Sequence, residues 1–260
     1  MVGDLHPRAP WRDVTLAGGY WNCGERLEKL YAYLRPWFQN IVAVVQESPD
    51  DTLQVAQKYA DIVLTDPWLK HGNPSISRAV ASSTTRFIFV VSDDEWPTEE
   101  LLFSFQDLVT ALREQQKDGA WVHFKSKIDG IDFTREQDNH LRFFRGNLSW
   151  PGTQHSRPMT ENTIFWTPDG AHIHHDRSLD EMMIDYLNRY EKGLEEGTGE
   201  GQMNHNRQMM RNGCIGVAGH KGWPYVTSFG WWPRVVEHAF GGEPPVESLV
   251  KKTRGRRVSR

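Results

Sequence analysis

The sequence predicts an α/β protein with a mostly parallel sheet and helices on both faces, followed by a mixed, aromatic-rich C-terminal part. Short apolar segments alternate with amphipathic ones as far as Gly119, which is the pattern of βαβ units. Two of the apolar segments, Ile41–Val45 and Phe87–Val91, are continuous rather than alternating, as in strands covered on both faces. Beyond them the strands become shorter and mix with loops rich in Trp and Gly.

The predicted elements of the first half follow from caps and periodicity. Asn22 and Thr98 are expected to cap helices, and Ser48-Pro49-Asp50-Asp51 has the cap, the proline and the acids of a helix start. Gly18–Trp21 is expected to be a loop. The predicted series is strand 13–17, helix 22–35, strand 41–45, helix 48–59, strand 62–64, helix 73–83, strand 87–91 and helix 98–119.

The second half is predicted to hold four strands, one helix and an extension. The helix opens with a capping box at Ser178 and Glu181 and runs to about Glu196. Gly193–Gly201 is interpreted as a flexible acidic linker, and 202–242 shows no clear period. The strands are 120–125, 140–145, 163–166 and 171–175.

Charge and cysteine content narrow the class of protein. The chain has 260 residues with 34 acidic and 30 basic side chains, and six of the basic ones lie in Lys251–Arg260. The acidic body argues against extended contact with nucleic acid, while the basic tail suits either a polyanion or a solvated terminus. Two cysteines cannot form a disulfide framework, and no apolar run is long enough to span a membrane. A cytoplasmic protein is expected.

The segment Ser92-Asp93-Asp94-Glu95-Trp96 carries the clearest chemical signal. Three consecutive acids directly after a buried strand are costly unless something binds them. Ligands of parallel sheets bind beyond the carboxyl ends of the strands, and Mg²⁺ and Mn²⁺ prefer carboxylate oxygens. The segment therefore predicts a divalent-metal site, the alternative being a turn that merely caps the next helix.

Several short motifs in this order resemble the GT-A glycosyltransferases, in particular the family-2-like group that includes lipopolysaccharide-core sugar transferases. The acidic segment is similar to the Leu-Asp-Ala-Asp-Glu-Trp pattern of that group, with Ser92 in place of its first acid. Leu141-Arg142-Phe143-Phe144-Arg145 resembles its Leu-Arg-Leu-Phe-Arg motif. Trp150, Gly152 and His155 follow as in the group, although Ser156 stands where an acid is usual. The resemblance covers about residues 12–192.

The resemblance implies a metal-dependent, inverting transfer from a nucleotide-sugar donor, a UDP-sugar being favoured, with Mn²⁺ or Mg²⁺ as cofactor. We expect a nucleotide-sugar-binding half at 1–119 and an acceptor-side half at 120–200, followed by a C-terminal extension at 201–260. The metal ligands implied are Asp94, Asp93 and His174, although His172 and His174 on one strand face leave a zinc pair open. Donor contacts are expected from Gly18, Tyr20, Glu47, Asp50, Arg78 and Asp93.

The general base and the acceptor stay open. Glu161 and His155 are the candidates for the base, because an acceptor hydroxyl must lose its proton to a positioned carboxylate or imidazole. The acceptor is a saccharide, a protein, a small molecule or a modified nucleic-acid base. A sugar-nucleotidyltransferase and an inactive sugar- or nucleotide-binding module are the alternative functions; Ser92 and Ser156 favour the inactive module.

Overall fold

A computed structural model describes residues 11–69, 73–133, 138–152, 157–196, 200–221, 223–230 and 232–242. The strands are β1 (Trp11–Tyr20), β2 (Phe38–Gln46), β3 (Ile62–Asp66), β4 (Phe87–Val90), β5 (Glu95–Pro97), β6 (Gly119–Ile128), β7 (Ile131–Asp132), β8 (Asn139–Arg145), β9 (Thr163–Trp166) and β10 (Ile173–Arg177). The helices are α1 (Gly24–Leu34), α2 (Thr52–Tyr59), α3 (Asn73–Ala81), α4 (Glu99–Phe103), α5 (Phe105–Glu114), α6 (Leu179–Glu196), α7 (Glu200–Lys221), α8 (Trp223–Thr227) and α9 (Trp232–Phe240).

The strands pair in the order β3-β2-β1-β4-β8-β6-β10-β5, and β7 and β9 also pair with β6. Strand β1 lies between β2 and β4, and both pairings are parallel. Strand β8 is antiparallel to β4 and to β6, while β9 is parallel to β6. The predicted α/β class, with a sheet of GT-A type, is confirmed.

Successive side chains of the central strands point to opposite faces of the sheet and pack into two apolar layers. Leu16 and Phe89 point into a core with α1, α2, α4 and α5, whereas Ala17 and Val90 point into a core with α3. Helices therefore cover both faces of the parallel strands, which accounts for the continuous apolar runs of the sequence.

Strand β1 is longer than predicted. It continues through Gly18, Gly19 and Tyr20, which pair with Ala43, Val44 and Val45. Gly18 is required because the Tyr20 ring lies over it: a Cβ there would be 2.1 Å from the Tyr20 hydroxyl oxygen. The segment predicted as an open loop is thus mostly strand, and the Tyr20 side chain is buried.

The predicted helix 98–119 is two helices. Thr98 is the N-cap as expected, with its Oγ1 accepting from the Leu101 N–H at 3.3 Å. Ser104 ends α4 because its Oγ donates to the Leu101 carbonyl at 2.8 Å, and the Trp166 indole N–H donates to the same Oγ. A serine bonded to the backbone in this way competes with the helical ladder.

Contact density divides the chain into two units with boundaries at 125/126, 133/134 and 175/176. The first unit holds the parallel strands. These units are defined by internal contacts and not by ligand binding. The assignment of a donor half to 1–119 and an acceptor half to 120–200 therefore stays a prediction. No helix in the described ranges is long and apolar enough to cross a membrane.

The second unit is mainly helical and differs from the prediction for 193–242. Helix α6 keeps its capping box, with the Glu181 N–H donating to Ser178 Oγ at 3.1 Å, but it continues through Gly193 to Glu196. Helix α7 contains glycines that a propensity argument counts against it. At Gly213 a Cβ would lie 2.1 Å from Met182 Cε, and at Gly216 one would lie 2.4 Å from the Phe133 ring, so these glycines permit close packing.

Candidate functional site

The carboxyl ends of β1 to β4 meet at one edge of the sheet. Tyr20 pairs with Val45, Gln46 with Asp66, and Ala17 with Val90. The segments that follow these strands therefore converge, as the sequence predicts for a ligand site at this edge.

Asp93, Asp94 and Glu95 lie in a tight turn after β4, the acidic turn Ser92–Glu95. The Glu95 N–H donates to the Ser92 carbonyl at 3.1 Å, and the Ser92 N–H donates to Glu95 Oε2 at 3.0 Å. Glu95 is 3% exposed, and Arg142 donates to its other carboxylate oxygen. Asp93 and Asp94 remain partly exposed at the sheet edge. Glu95 thus holds the turn together, whereas Asp93 and Asp94 reach the surface of the protein.

Asp94 contacts a histidine, but not the predicted one. Strand β10 is antiparallel to β5, so that His175 lies opposite Glu95 and His174 opposite Trp96. His175 Nε2 is 3.3 Å from Asp94 Oδ2, whereas His174 Nε2 is 3.2 Å from the Nε2 of His172. His175 therefore replaces His174 beside the acidic turn. Adjacent residues of a strand point to opposite faces, which explains the error of one position.

Asp93 forms an ion pair with Arg26, a residue of α1. The Arg26 Nη2 is 2.8 Å from Asp93 Oδ2. Burial, and then the negative charge of Asp93, raises the pKa of the nearby Cys23 thiol well above its ordinary value. Cys23 is therefore a protonated, buried packing residue and not a nucleophile.

Asp94 and its neighbours supply the donor atoms that a divalent metal would use. Among the described residues no group of three His, Cys, Asp or Glu side chains forms a closed cage. Asp94 and His175 nevertheless supply one oxygen and one nitrogen 3.3 Å apart. Neighbouring ligands of an octahedral ion at about 2.1 Å lie roughly 3 Å apart, and Mg²⁺ commonly leaves its other positions to water and substrate phosphates. The pair fits an open metal site.

Tyr20 is not placed to stack on a ligand. It is 2% exposed, its hydroxyl donates to the Val91 carbonyl at 3.3 Å, and its ring meets the Tyr31 ring edge-on. Gly18 is buried beneath it. The predicted donor contacts of both residues are thus contradicted, because β1 extends through them and turns the Tyr20 side chain into the core.

Two exposed tryptophans lie at this edge instead. Trp21, after β1, and Trp68, after β3, are 40% and 42% exposed. Their rings stack at 3.9 Å with an interplanar angle of 28°, and the Trp21 indole N–H donates to the Glu47 carbonyl at 3.0 Å. They form an aromatic surface beside the acidic turn.

Of the two predicted acids after β2, Glu47 is exposed and Asp50 is used within the protein. Asp50 accepts from the Gly24 N–H at 2.8 Å and from the Thr52 hydroxyl at 2.6 Å. Burial opposes its ionisation, but these hydrogen bonds outweigh burial and lower the pKa of Asp50. Asp50 thus caps the first turn of α1 rather than facing a ligand.

Arg78 lies at the same edge and pairs with Asp66, the last residue of β3. The same guanidinium donates to the Thr65 carbonyl at 2.7 Å. Ser75 donates to the second oxygen of Asp66 at 2.9 Å, and the Gln46 amide donates to Ser75 at 3.1 Å. This network fixes the segment that leads to Trp68, and Arg78 is half-exposed at its rim.

The structure does not bring Glu161 to this edge. Gly119 begins β6 and pairs with Thr163, and the end of β8 pairs with Phe87, the first residue of β4. Glu161 precedes Thr163 and therefore lies at the amino edge of the sheet. Four residues of β4 at about 3.3 Å each separate the two edges. His155 and Ser156 lie outside the described residues.

The sequence reasoning missed His175, Trp21, Trp68 and Arg26. Trp21 and Trp68 lie one and two residues after strands that end at the carboxyl edge, and that position could have identified them as candidates. For Arg26 and His175 the sequence holds no comparable signal, since their role depends on which face of an element meets the acidic turn.

Comparison with known proteins decides the family. Residues 21–185 match the family profile described as glycosyl transferase family 2. The chain belongs to this family. It is a glycosyltransferase, and the resemblance stated from its motifs is confirmed. None of the curated proteins compared with it matches significantly.

The solved structures that are similar to this family-2 chain match it at low sequence identity. TarS of S. aureus, residues 1–349 in complex with UDP, is 13% identical with a TM-score of 0.47, over 91% of this chain and 76% of that one. Against the S. aureus TarS crystal structure the identity is also 13% and the TM-score 0.46, over 91% and 49%. Glucosyl-3-phosphoglycerate synthase from Mycobacterium tuberculosis, with Mn²⁺, UDP and glucosyl-3-phosphoglycerate, is 16% identical with a TM-score of 0.32, over 44% and 43%.

The cap on α1 gives a prediction about stability and pH. Asp50→Ala should lower the free energy of unfolding by about 1 kcal/mol at neutral pH, the usual cost of removing a capping side chain. Because the native pKa of Asp50 is lowered, its contribution is full above the ordinary value of 3.8 and is lost as the pH falls through the native value. Urea unfolding of both proteins at several pH values measures this. A difference that grew toward acid pH would contradict the assignment.

Proposed function

We propose that the enzyme transfers a sugar from a nucleotide-sugar donor, with a UDP-sugar favoured, to an acceptor hydroxyl with inversion at the anomeric carbon. The observation that carries the proposal is the Asp94–His175 pair at the carboxyl edge of a family-2 sheet. The acidic turn there faces the place where ligands of parallel sheets bind.

Asp94 and His175 are proposed to hold Mn²⁺ or Mg²⁺. A bound divalent ion would supply charge stabilisation to the departing diphosphate. Asp93 is proposed to contact the donor or the ion, with Arg26 balancing its charge. Arg26 and Arg78 lie on opposite sides of β1 and β2, so that both flank this edge with positive charge.

The nucleoside is proposed to stack on the Trp21–Trp68 surface, which takes over the role predicted for Tyr20. Aromatic rings bind bases of any sequence because each base presents a π-face. Glu47, whose carbonyl orients the Trp21 indole, stays the predicted acid at this side. Asp50 and Gly18 are not part of the proposed donor contacts.

The general base is proposed to be His155, since Glu161 lies at the opposite edge of the sheet. The acceptor class stays as predicted from the sequence: a saccharide, a protein, a small molecule or a modified nucleic-acid base. The basic segment Lys251–Arg260, which lies outside the described residues, is proposed to touch a polyanion, and a cytoplasmic location stays an expectation.

Variants of the neighbouring residues His174 and His175 test the metal proposal. Asp94→Asn and His175→Ala should each weaken Mn²⁺-dependent UDP binding about tenfold or more, equivalent to roughly 1.4 kcal/mol, measured by calorimetry. His174→Ala is the matched control, because His174 contacts His172 and should leave the affinity unchanged. Loss with His174→Ala and none with His175→Ala would restore the original prediction and overturn this one.

The stacking proposal predicts that Trp21→Ala and Trp68→Ala each weaken UDP binding about tenfold, since a stacked base contributes roughly 1–3 kcal/mol. UDP should also quench the tryptophan fluorescence of the wild type. Phe165→Ala removes an exposed ring from β9, separated from β1 by three strands, and serves as control. Equal affinity in all four proteins would exclude the tryptophans from the nucleoside site.

The base proposal predicts opposite results for its two candidates. His155→Ala should cut transfer at saturating donor by about 10²-fold or more while donor binding persists, as general-base removal usually does. Glu161→Gln should turn over like the wild type because its carboxylate lies at the far edge. A large loss with Glu161→Gln alone would show that the base had been misplaced.

A further inference from the structure

Strand β8 carries two arginines, Arg142 in its middle and Arg145 at its last position. The strand runs antiparallel to β4, with Arg145 opposite Phe87 and Phe143 opposite Phe89. Arg142 thus lies at the carboxyl edge, beside the acidic turn, while Arg145 lies at the amino edge. Both belong to the Leu-Arg-Phe-Phe-Arg segment, for which the proposed function supplies no role.

Arg142 is bound from two sides within the protein. Its guanidinium donates to Glu95 Oε1 and lies 5.4 Å from the centre of the Phe124 ring. The Arg142 side chain is 13% exposed and that of Glu95 is 4% exposed, so the pair is shielded from water. Removing one partner of such a pair leaves an uncompensated buried charge.

The other carboxylate oxygen of Glu95 holds the turn itself. It accepts from the Ser92 N–H at 3.0 Å, across the two residues that carry the exposed acids. Glu95 thereby connects Arg142, on the sheet, to the backbone at the start of the turn. The orientation of Asp93 and Asp94 follows from that connection, because they are the only residues between Ser92 and Glu95.

We infer that Arg142 is a positioning residue, which acts through Glu95 to fix the Ser92–Glu95 turn and so to present Asp93 and Asp94 at the sheet edge. It touches neither donor nor metal in this assignment. Its consequence for metal and donor binding rests on the proposed function, whereas its effect on the turn does not.

Arg145 provides a control from the same strand. It is also partly buried and lies 5.9 Å from the centre of an aromatic ring, that of Phe87. Its Nε donates to the Lys117 carbonyl at 2.8 Å and its Nη2 to the Leu112 carbonyl at 3.2 Å. Its removal should therefore affect stability without reaching the acidic turn.

The experiment compares Arg142→Met, Arg142→Lys and Arg145→Met with the wild type. Amide exchange of Ser92, followed by NMR, reports on the turn, and calorimetry with Mn²⁺ and UDP reports on the site. Arg142→Met should speed Ser92 exchange and weaken UDP binding at least about tenfold each, while Arg142→Lys, which keeps the charge but not the planar fork, should give a smaller loss. Arg145→Met should lower the melting temperature and change neither quantity.

Unchanged Ser92 exchange in Arg142→Met, or an equal increase in Arg145→Met, would overturn the inference. If Arg142→Met fails to fold, Arg142→Lys against Arg145→Lys decides in the same way. A wild type that binds no UDP with Mn²⁺ would refute the proposed function alone, and the exchange data would still decide the role of Arg142.

Discussion

Strand β1 is hydrogen-bonded on both sides, to β2 and to β4, and both pairings are parallel. Because parallel strands end at the same edge, this one constraint brings together segments that lie far apart in sequence. Trp21 and Trp68 follow β1 and β3. Asp50, which caps α1, follows β2, and the acidic turn follows β4. Every residue proposed for the donor therefore depends on the register of β1.

Register also decides which member of each neighbouring pair of side chains reaches the edge. The predicted Tyr20 and His174 were each one residue away from the side chain that the structure places there, Trp21 and His175. A strand alternates its side chains with a period of two, so an error of one residue reverses the face. The existence and order of β1 to β4 follow from apolar runs, but their phase at the edge depends on pairings that a single sequence does not display.

The helical unit shows a second limit of prediction. Helix α6 could be predicted from its capping box and apolar stripe, and both are present. Helix α7 could not, because Gly213 and Gly216 count against a helix by propensity while their value lies in close contact with Met182 and Phe133. Such contacts form only once the partners have folded, so tertiary packing overrides the local preference.

The three consecutive acids illustrate how a costly arrangement becomes tolerable. Each meets a different side chain: Arg26 pairs with Asp93, Arg142 pairs with Glu95, and the His175 imidazole lies 3.3 Å from Asp94. The most buried acid has the most buried partner, as desolvation requires. The two partly exposed acids have their partners on α1, for Asp93, and on β10, for Asp94. Ser92 uses its backbone N–H to hold Glu95. A carboxylate at position 92 would add a fourth negative charge to this turn.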